Sequence, residues 1–155
     1  MTNQERVEKA RKALAQIENY TQEQIDKLVY ESAKIIYKNA EPLAEMAVKE
    51  TGLGSVQDKI AKNTDTPTAF WDYLKDKKSV GIINEDPKLG LIEIAHPVGV
   101  IAGITPATNP TVTPLGNVMH AHVTGRPLSS TVAAITEWFL HITSILTLTV
   151  LGISL

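Results

Sequence analysis

The chain of 155 residues carries 43% hydrophobic and 21% charged side chains, which suits one packed core and excludes a disordered or collagen-like polymer. Fifteen basic residues against seventeen acidic ones give a formal net charge of -2, so no electrostatic case for a nucleic-acid partner arises. Cysteine is absent, and with it disulfides, cysteine-based zinc sites, iron–sulfur clusters and any thiol nucleophile within these residues.

Asn3, Gln4, Glu5 and Glu8 interrupt the N-terminal stretch where a secretory signal would need a continuous apolar run, so a cytoplasmic location is expected. Thr2 followed by Glu5 has the spacing of a capping box and predicts a first helix with Val7, Ala10, Leu14 and Ile17 as its apolar stripe. Thr21 and Gln24 repeat the signal for a second helix, in which Ile25, Leu28, Val29, Ile36 and Ala40 recur at helical spacing. Pro42 marks the first turn of a third helix, carried by Leu43, Met46 and Ala47 and ended at Gly52. Ser55 with Asp58 predicts a fourth helix through Ile60 and Ala61, followed by a separate short helical turn holding Phe70, Trp71, Tyr73 and Leu74 as packing residues.

From Ser79 the period changes. Val80 to Ile83 and Leu91 to Ala95 are β-rich runs separated by the polar segment 84–88, a pattern that predicts a hairpin. Val98 to Ile104 is an apolar run of the kind that forms a strand buried on both faces of a parallel sheet. The loop Thr105-Pro106-Ala107-Thr108-Asn109-Pro110 follows it, at the strand end where α/β sheets bind ligands.

All charged residues but Arg126 and Glu137 lie at positions 1–96. The segment 138–155 has no charge and is just long enough to span a membrane, yet it holds His141, three threonines and two serines, a chemistry that does not favour an anchor. A β-rich segment paired with a sheet is the alternative, and it lacks the charges that protect strand edges, so aggregation of the isolated chain is expected.

Gly99 and Gly103 do not make a dinucleotide fingerprint, and close backbone packing explains them better. His120 and His122 stand two apart, a spacing that suits one face of a strand, but no cysteine or nearby carboxylate completes a metal set. They are read as ordinary surface or interface histidines, His96 is read as structural, and no metal is expected. An amide between two prolines in a post-strand loop can donate to a developing oxyanion, which singles out Asn109, although spacing alone favours an Asx-turn.

Four segments in order carry a resemblance: Ala47 to Gly54, Asp58 to Asn63, Ile94 to Ile104 and Thr105 to Thr111. Together they resemble the N-terminal part of the CoA-acylating aldehyde dehydrogenases, including the dehydrogenase half of bifunctional aldehyde-alcohol dehydrogenases. The resemblance implies an α/β fold: N-terminal helices, a β-hairpin and the start of a Rossmann-like NAD-binding domain, incomplete here. It assigns 1–120 to that partial domain, with an oligomerisation hairpin near 80–95 and a homo-oligomeric assembly. It matches Asn109 to the oxyanion-stabilising asparagine, and Thr105, Pro106, Ala107 and Thr108 to the loop beside the nicotinamide cofactor.

NAD as cofactor, CoA as co-substrate and a small aldehyde as substrate are implied for the complete enzyme, but its cysteine would lie beyond this chain, so no turnover is expected from these residues alone. Past His120 the resemblance fades at Thr124 to Ser129, and 121–155 reads as an atypical hydrophobic tail that a frameshift or a divergent insertion would explain. The competing expectation, from a different class, is a non-catalytic helical interaction protein whose hydrophobic C-terminal segment anchors it to a membrane or partner.

Overall fold

Reciprocal capping bonds open the first two helices where the sequence places them. In the computed structural model, which describes residues 2–95, 100, 103 and 105–123, the Glu5 N–H donates to Thr2 Oγ1 at 3.2 Å and the Thr2 N–H to Glu5 Oε2 at 2.7 Å. These bonds satisfy donors that a helix start otherwise leaves orphaned and begin α1, Asn3–Ile17. Thr21 and Gln24 make the same pair of bonds at 3.3 and 2.9 Å, starting α2 at Gln22–Lys38.

Helix α3 occupies Ala40–Thr51 with Pro42 in its first turn, where a missing N–H costs nothing. It ends at Gly52, whose φ of 66° is a left-handed conformation that a side chain would strain. Ser55 Oγ then accepts from the Asp58 N–H at 3.1 Å and caps α4, Val56–Leu74.

The expected break within α4 does not occur. Nineteen residues form one helix that runs through Pro67, so the aromatic turn is its last turn and not a separate element. A proline removes one helical bond and crowds the carbonyl four residues back, but Asn63, Pro67 and Leu74 are all buried on one continuous face. Burial along that face outweighs the lost bond. Phe70, Trp71 and Leu74 pack against the core, whereas Tyr73 is a surface residue, 64% exposed with the Lys77 ammonium over its ring.

The core lies among α2, α3, α4 and the last helix, α5 (Val112–Val123). Ile25, Val29, Ile36, Leu43, Leu74, Leu115 and Met119 form it, and Asn63 Nδ2 donates to the Ala40 carbonyl at 3.1 Å to pin α4 against α3. Helix α1 is peripheral: of its predicted stripe only Ala10 is buried, and Val7 is exposed.

The hairpin forms from β1, Gly81–Asp86, and β2, Leu91–Ala95, paired antiparallel. Strand β1 runs further into the polar segment than the sequence suggests, with a bulge between Ile82 and Asn84. Asp86 Oδ1 accepts from the Lys88 and Leu89 N–H groups at 2.9 and 3.2 Å, turning the chain back toward β2. The base of the hairpin is fastened by Gln22, whose Oε1 accepts from the N–H groups of Ser79 at 2.8 Å and Val80 at 3.2 Å.

Among the described residues, five helices and this two-stranded sheet make a mixed α/β arrangement that is part of a domain, as the resemblance implies. The expected buried strand 98–104 lies outside the described residues except at Val100 and Gly103, as do His96 and, of the expected tail 121–155, all but residues 121–123, which belong to α5. Among the described residues no helix is long and apolar enough to cross a membrane.

Candidate active site

Helix α5 begins immediately after the loop that the sequence singled out. Within that loop the Asn109 N–H donates to the Pro106 carbonyl at 3.2 Å, and the Asn109 carbonyl accepts from the Thr113 N–H at 3.4 Å to start the helix. Pro114 sits in the first turn, where its lack of an N–H is tolerated, and is fully buried.

A cleft of about 480 Å³ opens between α4 and the start of α5, lined by Lys62, Thr66, Phe70, Asn109, Val112, Thr113, Gly116, Asn117 and His120. Gly116 sets how closely the two helices approach: a β-carbon there would stand 2.9 Å from Phe70 Cε2. His120 donates from Nδ1 to the Gly116 carbonyl at 2.8 Å, and its ring meets Phe70 edge to face at 5.0 Å between centroids.

Asn109 is half-buried, and its side-chain oxygen accepts from the Lys62 ammonium at 3.0 Å. The Asx-turn that spacing alone favours does not form: among the described residues this oxygen accepts from Lys62 and from no backbone N–H. A primary amide has two N–H donors, and the contact from Nδ2 to Thr108 Oγ1 is long, at 3.5 Å. At least one N–H therefore remains without an acceptor among the described residues. The loop is held a second time by Lys59, whose ammonium donates to the Thr108 carbonyl at 3.0 Å.

The other predicted loop residues differ in exposure. Pro106, Ala107 and Thr108 are exposed, whereas Thr105 is buried, and its Oγ1 has no hydrogen-bond partner among the described residues. A buried hydroxyl in that state fits a ligand group that could satisfy it.

Sequence reasoning did not find Lys62 or Gly116 as parts of the site, and neither carries a local signal. His120 joins the cleft, and the strand on which a spacing of two would set His120 and His122 on one face is replaced by a helix. Both lie on α5, where two residues subtend about 200°. Among the described residues no group of three His, Asp or Glu side chains could hold a metal ion.

Residues 2–136 match the sequence pattern of the aldehyde dehydrogenase family. The chain belongs to that family. It is 49% identical over 117 residues to the succinate-semialdehyde dehydrogenase (acetylating) of Clostridium kluyveri, covering 76% of this chain and 26% of that protein. It is 43% identical over 107 residues to the bifunctional aldehyde-alcohol dehydrogenase of Escherichia coli K12, covering 69% of this chain and 12% of the relative.

A crystal structure of an acetylating aldehyde dehydrogenase from Geobacillus thermoglucosidasius superposes with a TM-score of 0.83 at 34% identity, over 96% of this chain and 33% of that one. This aldehyde dehydrogenase chain thus spans about a quarter of the Clostridium relative and a third of the solved structure. Its relatives include acylating enzymes and bifunctional ones.

Proposed function

We propose that this chain is the oxyanion-stabilising part of an NAD-dependent CoA-acylating aldehyde dehydrogenase, whose complete form converts an aldehyde, CoA and NAD to acyl-CoA and NADH. The observation that carries this is Asn109, half-buried at the cleft with its oxygen engaged and an amide N–H without an acceptor among the described residues.

Attack of a thiolate on an aldehyde moves negative charge onto the carbonyl oxygen. An amide already oriented toward that oxygen stabilises it without reorganising, by about 3 kcal/mol. Within this chain Asn109 would donate that bond. Thr105, Pro106, Ala107 and Thr108 would hold NAD at its nicotinamide end, with the Thr105 hydroxyl, which has no partner among the described residues, as one contact. Bound NAD supplies the hydride acceptor. CoA is the second substrate, releasing the acyl group by thiolysis, in a cytoplasmic setting.

No cysteine is present in the 155 residues, so this chain alone should turn over no aldehyde. The hairpin would serve self-association into a homo-oligomer, because among the described residues its two strands leave their outer edges without partners. A helical interaction protein with a hydrophobic anchor is not favoured, since the family match takes in all five helices and the hairpin.

The test joins residues 2–123 to the remainder of the Clostridium kluyveri relative and follows acyl-CoA formation from succinate semialdehyde. Turnover dependent on Asn109 supports the proposal, and turnover indifferent to Asn109→Ala contradicts it.

A further inference from the structure

We propose that Lys62 is a positioning residue for the Asn109 amide, an inference that rests on Asn109 being the oxyanion donor. The two residues lie 47 positions apart, and their side chains meet at 3.0 Å between Nζ and Oδ1.

An asparagine amide presents oxygen on one side and nitrogen on the other, and rotation about its last torsion exchanges them at little cost. An ammonium only donates. With Lys62 in place, the flipped amide would set donor against donor, so Lys62 selects the orientation that turns Oδ1 toward α4 and leaves Nδ2 on the opposite side. A second effect has the same sign: a positive charge on the amide oxygen draws electron density from nitrogen and strengthens its N–H groups as donors.

Helix α4 is a firm base for this contact. Asn63, the next residue, is buried and bonded to the Ala40 carbonyl. Lys59 lies one turn earlier on the same side and binds the adjacent Thr108 carbonyl, so two lysines three residues apart hold the two residues of the loop that matter most. Lys62 itself is exposed, and an exposed hydrogen bond adds little to folding stability. Its effect therefore falls on the orientation of the amide and not on whether the chain folds.

The test is the side-chain amide signal of Asn109 in the proton–nitrogen spectrum of the full 155-residue chain, assigned by its loss in Asn109→Asp. Lys62→Met should shift that signal toward the position of a free asparagine amide. Lys62→Arg, which restores a cationic donor, should return it, and Lys49→Met, an equal loss of charge on α3, should leave it in place. An Asn109 signal unmoved by Lys62→Met overturns the inference. Should that variant lose its dispersed spectrum, the unsubstituted chain decides: a nuclear Overhauser contact from the Lys62 Hε protons to the Asn109 side chain is expected, and its absence overturns the inference.

The two assignments fail separately. An unmoved amide signal would remove Lys62 and leave Asn109 to be judged by turnover. Turnover indifferent to Asn109→Ala would remove the oxyanion role and leave the lysine-amide bond standing.

Discussion

The helical body and the hairpin use similar residues to opposite ends. In the body, Ile25, Val29 and Ile36 of α2 face α4 and α5 and are at most 5% exposed. In the hairpin, Ile82, Ile92 and Ile94 share one face, with Ile82 paired directly across from Ile94, yet they are 46%, 59% and 53% exposed. An isoleucine removed from water stabilises the fold by about 1.5 to 3 kcal/mol. An isoleucine left in water has that free energy still available for a second surface. The body places its isoleucines in its own core, whereas those of the hairpin stay exposed among the described residues.

Substitutions should separate the two regions in unfolding free energy. The largest loss belongs to the centre of the body: Leu74→Ala, at a side chain 1% exposed, should cost about 2 to 5 kcal/mol in a denaturant titration. A loss under about 1 kcal/mol would mean that the end of α4 is not part of the core.

Gly116→Val should cost about 1 to 3 kcal/mol, because its β-carbon would meet Phe70 at 2.9 Å and the α4–α5 approach would have to open. The same variant with Phe70→Ala should recover part of that loss. No recovery would show that the two sites act independently.

The hairpin should respond differently. Ile92→Lys with Ile94→Lys should change the unfolding free energy of the monomer by less than about 0.5 kcal/mol, while lowering the mass seen by light scattering. A strictly monomeric unsubstituted chain would remove the case for self-association.

The smallest effect is expected at Lys34. Its hydrogen bond to Glu31 at 2.8 Å, aided by the carboxylate charge, holds its pKa above the ordinary lysine value of 10.5 against a smaller desolvation effect. A raised folded pKa contributes stability that is fully present below 10.5 and is lost as pH rises through the folded value. Melting of Glu31→Gln should therefore track the unsubstituted chain with constant offset from pH 6 to 9. A change of offset in that window would place another group in control.

What could be read from the sequence follows the range of each interaction. The boxes at Thr2 and Thr21, the left-handed turn at Gly52 and the cap at Ser55 each depend on residues within a few positions, and each forms where the pattern puts it. The separate aromatic turn was expected because the local pattern beyond Ala61 does not show the buried face, Asn63 to Leu74, that carries α4 on as one helix. Asn109 was visible as chemistry in a loop, but the bond that orients it comes from 47 residues away, and Gly116 matters only because Phe70 stands opposite. Spacing carries no information about such contacts.

The central claim is that Asn109 stabilises an oxyanion. Its most direct measurement compares kcat and KM for acyl-CoA formation by the chimera described above, with Asn109 and with Asn109→Ala. The account predicts a fall in kcat of roughly 100- to 1000-fold with little change in KM, the signature of an interaction made in the transition state. An unchanged kcat, in a variant whose circular dichroism and melting match the parent, would contradict it.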